Sequence, residues 1–172
     1  MHIFFNKRNK NNQQLIEDII LENYNQYYRL AYSYAHNDED ACDIVQTGAC
    51  KALQSCDSLK KQEYAKTWVY RIMLNECFHH IKQPQSFSYE AFVEKGGLDL
   101  EYTEDNYTDL DLQLALDSLP DKDKSIVILK YFEDKTLEEI ADILDENINT
   151  VKSRLYRSIK KLRDSLSTQN IM

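Results

Sequence analysis

Residues that break helices are scarce in this chain. Its 172 residues include only three glycines and two prolines, well below their usual shares of about 7% and 5%. A β-sandwich needs both residues at its many turns and is therefore disfavoured. Glycine-rich phosphate loops are nearly excluded, because Gly96-Gly97 precedes neither a lysine nor a helix start. Hydrophobic residues make up 42% of the chain, enough for a core, so the composition predicts an all-helical protein.

Apolar residues at helical spacing predict three helices in the first half of the chain. The first helix runs for about 20 residues, from Leu15 to Tyr32. Asn37 supplies an N-cap for the second helix, and the acidic residues after it favour its first turn. The third helix carries Trp68 and ends before Pro84. Three helices with short connections form a compact bundle.

Acidic residues are concentrated in the middle of the chain. Residues 84–118 hold nine acidic residues and one basic residue, which accounts for the whole net charge of −8. The sequences on either side each balance to zero. The first part of this segment has no sustained helical period, and we interpret residues 84–111 as a linker between two compact pieces. A plain solvated tether, extended by charge repulsion, is the simplest role for it.

Residues 136–166 have the pattern of a helix-turn-helix. Thr136 and Glu139 have the spacing of a capping box before a short apolar helix. A polar turn at 145–147 separates this helix from a longer one with a single apolar stripe. The longer helix has six cations and no acidic residue between Thr150 and Arg163. Two helices joined by a short turn, with the second one basic, are typical of DNA-binding proteins.

The face of this second helix that lies opposite the apolar stripe suits a DNA groove. At 100° per residue, Thr150, Ser153 and Arg157 fall on that face. The flanking cations are Arg154, Lys160 and Lys161. Short polar groups near the start of a helix can approach base edges, while long cations hold phosphates. The alternative is an ordinary solvated face of a charged helix.

Both halves of the chain resemble parts of bacterial sigma factors. The C-terminal half is similar to the promoter −35-binding domain in Leu119-Pro120, Glu139-Ile140-Ala141, Thr150-Val151-Lys152-Ser153-Arg154-Leu155, Arg157 and Leu162-Arg163. In the first half, Asp43-Ile44-Val45-Gln46 resembles the segment that docks on the polymerase clamp helices. Thr67-Trp68-Val69-Tyr70-Arg71-Ile72, with Asn75, resembles the −10 element region. Nothing between them resembles sigma domain three. Domains two and four without a domain three are the layout of extracytoplasmic function (ECF) sigma factors.

The resemblance implies an all-α fold of two small helical domains joined by the acidic linker. We expect an N-terminal tail at 1–14, a three-helix sigma domain two at 15–83, the linker at 84–111, and a helix-turn-helix sigma domain four at 112–168. By the same resemblance the linker would lie in or near the RNA path of the polymerase. A plain tether remains the alternative.

The implied function is that of an alternative sigma factor in an envelope or stress response. Such a subunit binds core RNA polymerase through the clamp helices and the flap, recognises promoter DNA and melts the −10 element. The resemblance also implies an anti-sigma factor that holds the chain inactive, in many relatives from the membrane. We therefore expect a cytoplasmic protein that is retained at the membrane when such a partner binds it.

The resemblance and the residue types together give three sets of candidate site residues. Polymerase binding is assigned to Asp43, Ile44, Val45 and Gln46. Binding of the −10 element is assigned to Lys60, Lys61, Lys66, Trp68, Arg71, Asn75, His79 and Lys82. Binding of the −35 element is assigned to Thr150, Lys152, Ser153, Arg154, Arg157, Lys160 and Lys161. The simpler interpretation is that Trp68 packs in the core and that Asn75 is an ordinary surface amide.

The sequence departs from the family pattern at three positions that bear on the fold. Thr47-Gly48 follows Gln46 where the family usually has an acidic and then a bulky residue. A glycine in a helix costs about 1 kcal/mol relative to alanine. Asp145 stands in the turn where such domains commonly have glycine, so we expect a left-handed backbone there to carry some strain.

Other functions are less well supported by the sequence. A DNA-binding regulator that acts without polymerase, through the helix-turn-helix alone, is the main alternative. A protein-interaction module with an incidental basic helix is another. No paired carboxylates, Ser/His/Asp set or phosphate loop indicates an enzyme, so we expect no catalytic residue, no cofactor and no small-molecule substrate. Cys77 and His80 lack a second ligand pair at zinc spacing, so we expect no metal site.

Overall fold

A computed structural model of the protein describes residues 7–83 and 104–169. Those residues form eight α-helices and two short 3-10 helices, at Cys56–Ser58 and Gln62–Tyr64, and contain no strand. The α-helices are α1 (Lys7–Glu22), α2 (Tyr24–Ala35), α3 (Asp38–Gln54), α4 (Ala65–Lys82), α5 (Glu104–Asp117), α6 (Asp121–Tyr131), α7 (Leu137–Leu144) and α8 (Ile148–Gln169). The predicted all-α fold is confirmed. Within the described ranges, no helix is both long and apolar enough to span a membrane.

Helices α1–α4 form what we call the N-terminal bundle. Helix α2 packs against both α3 and α4, α3 packs against α4, and α1 closes the bundle against α4. Leu30, Val45, Val69 and Met73, one or two from each of α2, α3 and α4, are almost completely buried in its core. Removing such apolar surface from water supplies most of the stability of a small bundle.

The first predicted helix is two helices in the structure. Asn23 separates α1 from α2, and its side-chain amide donates to the backbone oxygen of Ile19 at 2.7 Å. An asparagine side chain that bonds to the backbone competes with the helical pattern, which explains the break. Helix α1 also starts at Lys7, inside the segment interpreted as a tail. Asn12 fastens it, because its buried amide donates to the backbone oxygens of Cys56 and Leu59.

Helix α3 begins where its cap predicts. The side chain of Asn37 accepts from the backbone N–H of Asp40 at 2.9 Å, which satisfies one of the first unpaired donors of the helix. Gly48 is buried in the middle of α3. A Cβ at this position would lie 2.5 Å from Sδ of Met73. Close packing on α4 is therefore the physical reason for a glycine where the family usually carries a bulky residue.

Helices α5–α8 form what we call the C-terminal bundle. Helix α8 packs against α5, α6 and α7, and the fully buried residues include Ile126, Leu129, Ile140 and Val151. Leu119, just before Pro120 and the start of α6, also belongs to the core. The second bundle is thus built around the long basic helix and orients its polar face toward solvent.

The predicted capping box and left-handed turn are both present. Thr136 Oγ1 accepts from the backbone N–H of Glu139 at 3.1 Å, and the Glu139 carboxylate accepts from that of Thr136 at 2.8 Å. Asp145 ends α7 with φ of 54° and ψ of 47°, the left-handed conformation that glycine adopts more readily. This residue turns the chain between α7 and α8.

The acidic linker overlaps the described residues only at its end. Helix α5 starts at Glu104, so the C-terminal part of the segment interpreted as linker is helical. Residues 84–103 lie outside the described residues. The expectation that the linker enters the RNA path falls on these residues and stays a prediction. The two bundles nevertheless touch directly, because α4 packs against α7.

Candidate polymerase and nucleic-acid interfaces

Five of the predicted −10 residues share one face of α4. At 100° per residue they fall within about 80° of one another. We call them the −10 strip: Trp68, Arg71, Asn75, His79 and Lys82. The opposite side of α4 carries Val69, Met73 and Cys77, which are buried in the bundle, so the core fixes the direction in which the strip points.

The side chains of the −10 strip differ in exposure. Asn75, His79 and Lys82 are exposed, whereas Trp68 and Arg71 are half-buried. Trp68 packs with its ring against the core and also lines a cleft between the two bundles. The sequence left open whether Trp68 lies in the core or at the surface. In the structure its ring contributes to both.

The three remaining −10 candidates are lysines that lie off the strip. Lys60 and Lys61 precede the second 3-10 helix, and Lys66 lies in the first turn of α4 on another face. All three are exposed. Lys61 Nζ lies 5.7 Å from the centre of the Tyr64 ring, within the range of a cation–π contact. Lys60 and Lys61 line the same cleft as Trp68.

The predicted polymerase-binding segment of α3 has two exposed and two buried residues. Asp43 and Gln46 are exposed and lie one turn apart. Ile44 and Val45 are buried, with 5% and 2% of their surface exposed. Asp43 and Gln46 can therefore contact a partner, while Ile44 and Val45 hold α3 against the core.

The reading helix α8 presents most of its predicted −35 residues to solvent. Its reading face, as we call it, consists of the exposed side chains of Thr150, Lys152, Ser153, Arg157 and Lys160. Ser153 Oγ donates to the backbone oxygen of Asn149 at 2.9 Å, and Arg157 Nε donates to that of Ser153 at 3.4 Å. Both bonds stay within α8 itself, and the side chains of the reading face remain exposed to solvent.

Two of the predicted −35 residues are engaged within the C-terminal bundle. Arg154 is half-buried, and its Nη1 donates to the Asp123 carboxylate at 2.8 Å. Its Nε lies 3.3 Å from a carboxylate oxygen of Glu146. Lys161 is exposed, and its Nζ donates to the backbone oxygen of Ser118 at 2.9 Å. Both residues therefore help to hold α8 on the bundle in this conformation.

Comparisons with known proteins match both bundles to one protein family. The family model for sigma-70 region 2 matches residues 19–86, and that for sigma-70 region 4 matches residues 109–162. The RNA polymerase sigma factor SigV of Bacillus subtilis is 38% identical over 170 residues, which cover 96% of this chain and 99% of that protein. The ECF sigma factor SigW of the same organism is 30% identical over 91% of each chain. The chain belongs to the ECF sigma factor family.

Solved structures support the fold of this sigma factor. CnrH, solved in complex with the cytosolic domain of CnrY, has a TM-score of 0.69 at 18% identity over 94% of each chain. RpoE of Bartonella quintana, solved with the anti-sigma factor NepR, has a TM-score of 0.63 at 21% identity over 88% of this chain and 96% of that one. The predicted family and function are confirmed. The chain is an alternative sigma factor, and its family is not a family of enzymes in the usual sense.

Tyr156 is a residue of the sigma factor's reading helix that sequence reasoning missed. Its side chain is 74% exposed and lies between the exposed cations Lys152, Arg157 and Lys160 on the outer side of α8. The sequence signal for Tyr156 is a large aromatic ring that lies outside the apolar stripe of an amphipathic helix. Such a ring can contact a thymine methyl group in the major groove.

Cys77, which the sequence analysis considered together with His80 as a metal ligand, is fully buried in the N-terminal bundle. Burial raises the pKa of its thiol to about 12, and zinc binds the thiolate. Among residues 7–83 and 104–169, no group of three or more histidine, cysteine, aspartate or glutamate side chains is placed to hold a metal ion. Cys77 acts as a small apolar residue of the core, as buried cysteines often do.

Proposed function

We propose that this sigma factor recognises a promoter through two separate surfaces and binds core polymerase through a third. The −10 strip of α4 captures the melted −10 element, the reading face of α8 enters the major groove of the −35 element, and the exposed face of α3 docks on the clamp helices. The observation that carries this proposal is that each bundle presents a polar, cationic helix face whose opposite side is fixed in its core. Chemistry is left to the polymerase.

Capture of the −10 element needs groups that replace base pairing and stacking. Extruding a base costs a few kcal/mol, and aromatic rings with cations offset this cost in single-strand binding proteins. The half-buried ring of Trp68 and the exposed lysines Lys60 and Lys61 stand on one side of the cleft. Asn75, exposed one turn after Arg71, can bond to a base edge.

Recognition of the −35 element depends on the first turns of α8. Thr150 and Ser153 carry short hydroxyl groups there, and Arg157 follows one turn later. An arginine that reaches a guanine makes two hydrogen bonds in the major groove. Lys152 and Lys160 flank this line and suit phosphate contacts.

An anti-sigma factor is the regulator that the solved relatives suggest. CnrH and RpoE were solved in complex with the cytosolic domain of CnrY and with the anti-sigma factor NepR. We infer that this chain, too, is held inactive by an anti-sigma factor, in the cytoplasm where its polymerase is located. A pull-down from membrane and soluble fractions would identify that partner and show where it resides.

The test of the proposed docking surface is the double variant Asp43→Arg with Gln46→Ala. Both side chains are exposed on α3, so the helices should fold as before. The measurement is promoter-directed transcription with sigma-free core polymerase. We expect it to be abolished, because a buried charge mismatch at an interface typically costs several kcal/mol.

The matched control is Gln14→Ala with Asp18→Arg on α1. These residues are also exposed and neighbouring, and Gln14 Nε2 donates to Asp18 at 3.0 Å. The control repeats both substitutions on another surface and should transcribe normally. Normal initiation by the α3 variant would show that polymerase docks elsewhere. Sequence-specific control of transcription without any polymerase contact would favour the stand-alone regulator.

A further inference from the structure

Four charged side chains join the turn of the helix-turn-helix to α6 and α8, and we call them the turn network. Its members are Lys122 and Asp123 in the first turn of α6, Glu146 in the turn between α7 and α8, and Arg154 in α8. Lys122 Nζ donates to the Glu146 carboxylate at 2.7 Å. Arg154 Nη1 donates to the Asp123 carboxylate at 2.8 Å. Two cations and two carboxylates thus balance each other within the C-terminal bundle.

Arg154 and Glu146 meet at the centre of the turn network. Nε of Arg154 lies 3.3 Å from Oε2 of Glu146. Both atoms are buried and form no hydrogen bond within the described residues, so each is compensated by the charge of the other. The side chains of Asp123, Glu146 and Arg154 are 14%, 12% and 28% exposed. Removing one charge from such a group leaves its partner uncompensated at low exposure, which is costly.

The turn network acts on the segment that sets the direction of α8. Asp145, just before Glu146, has the left-handed backbone that turns the chain. The backbone N–H of Glu146 donates to the backbone oxygen of Ala141 at 3.0 Å, which fastens the turn to α7. The Asn147 side chain accepts from the backbone N–H of Asn149 at 2.8 Å, which caps the start of α8. The Glu146 carboxylate ties this turn to α6 and to the second turn of α8, so the angle of α8 depends on the network.

Arg154 and Lys152 lie on the two flanks of the reading face. At 100° per residue, each is turned by about 100° from Ser153, in opposite directions. A cation on either flank of a reading helix is placed to bind phosphate, so the sequence treats the two alike. The structure separates them, because Lys152 is exposed whereas Arg154 is half-buried and bound to α6.

The carboxylates around Arg154 oppose a move toward DNA. To bind a phosphate, its guanidinium would have to leave Asp123 and Glu146, and both would lose their shared cation. The new contact would therefore replace charge pairs of low exposure with a pair at the protein surface, where ion pairs contribute less. Arg154 suits the support of the reading face better than the contact with DNA.

We propose that Arg154 is a positioning residue for −35 recognition. It holds α8 at the angle that brings the reading face to the bases, and it acts through Asp123 and Glu146, without a phosphate contact of its own. Lys152, on the opposite flank, is the cation that binds phosphate. This inference rests on the proposed function, because it takes α8 as the helix that reads the −35 element.

Reversal of the Arg154–Asp123 pair tests the proposal. Arg154→Glu leaves one cation in the turn network and Asp123→Arg leaves three, whereas the double variant restores two cations and two carboxylates. The measurement is binding of the polymerase complex to promoter DNA and to the same DNA with a scrambled −35 element. We expect each single variant to lower the preference for the promoter about tenfold, which is about 1.4 kcal/mol and typical of one lost base contact. The double variant should regain most of this preference.

A phosphate contact by Arg154 predicts different results for the same variants. Asp123→Arg would then add a cation beside the DNA and strengthen binding to promoter and scrambled DNA alike. The double variant would bind as weakly as Arg154→Glu, because position 154 would remain acidic in both. Either result would overturn the proposal.

The matched control compares Arg154→Met with Lys152→Met over a salt series. Both substitutions remove one cation from a flank of the reading face. Lys152→Met should weaken binding to both DNAs about equally and lower the salt slope by about one. Arg154→Met should leave the salt slope unchanged and lower the preference for the promoter. A salt slope that falls by about one in Arg154→Met would assign a phosphate contact to Arg154 and contradict the positioning role.

Circular dichroism and urea titrations of each variant separate positioning from stability. A double variant that regains its free energy of unfolding but not its promoter preference would make the turn network purely structural and overturn the proposal. If a single variant does not fold, the double variant and Arg154→Met still decide. Normal promoter binding by both Lys152→Met and Arg157→Ala would overturn the −35 role of α8 itself. A failure confined to the Arg154 and Asp123 variants would overturn the positioning role alone.

Discussion

Arg157 and Lys160 separate base recognition from phosphate binding at the scale of single residues. Both are exposed on α8, but only Arg157 lies near the centre of the reading face. Arg157→Ala should weaken binding by about 1–3 kcal/mol on the preferred −35 sequence and much less on a scrambled one. Lys160→Ala should weaken both about equally and lower the salt slope by about one. The measurement is promoter binding by the polymerase complex over a salt series.

Lys160 is a better phosphate control than Lys161, which the sequence alone would suggest equally well. Lys161 donates to the backbone oxygen of Ser118, so its removal would also loosen the C-terminal bundle. Equal losses on promoter and scrambled DNA for Arg157→Ala would make this residue a phosphate contact. Base recognition would then rest on Thr150, Ser153 or the exposed ring of Tyr156.

Packing of α3 on α4 explains Gly48 at the scale of helices. Alanine should favour the helix by about 1 kcal/mol, but its Cβ would meet Sδ of Met73 at 2.5 Å. Met73 is 1% exposed and has little room to move, and overpacking a core typically costs about 1–3 kcal/mol. We expect Gly48→Ala to lower the free energy of unfolding by about 1 kcal/mol in urea titrations.

The same substitution should have the opposite sign once Met73 is removed. In a Met73→Ala background the contact is absent, so Gly48→Ala should stabilise the chain by up to about 1 kcal/mol through helix propensity alone. The difference between the two backgrounds is the coupling energy of the pair. A stabilisation of equal size in both backgrounds would mean that the close approach of α4 does not constrain this position.

Asp117 links the stability of the whole molecule to acid. Burial raises the pKa of its carboxyl, but hydrogen bonds from His36 and Lys124 outweigh burial, and the net pKa lies below the ordinary value of 3.8. A carboxyl whose pKa is lowered in the folded state stabilises the fold fully above its ordinary value. That contribution is lost as the pH falls through the lowered folded value.

We therefore expect Asp117→Asn to be less sensitive to acid than the unmodified chain. The free energy of unfolding of the unmodified chain should fall more steeply as the pH drops below 3.8 toward the lowered folded value. The variant should be less stable at neutral pH, where the contribution of Asp117 is complete. Urea titrations at a series of pH values measure both quantities. Parallel pH profiles for the two proteins would show that His36 and Lys124 do not act on this carboxyl as the structure indicates.

Local patterns in the sequence were sufficient wherever a helix depends on its own residues. The cap of α3 at Asn37, the capping box of α7 at Thr136 and the left-handed turn at Asp145 were all predicted and are all present. The apolar stripes of α4, α7 and α8 also separated the core from the exposed faces, because a helix that buries one side must repeat at 3.6 residues. The break at Asn23 was not predicted, because apolar residues continue at helical spacing across it.

The sequence by itself thus determined two helical units, their caps and the outward direction of the −10 strip and the reading face. Only the tertiary structure decided which of those side chains already have partners. Arg71 binds the end of α7 and Arg154 binds Asp123, although both match family motifs for DNA contacts. No periodicity could pair Arg29 with Glu133 across 104 residues. Such contacts arise from how two surfaces fit together, which depends on all their side chains at once.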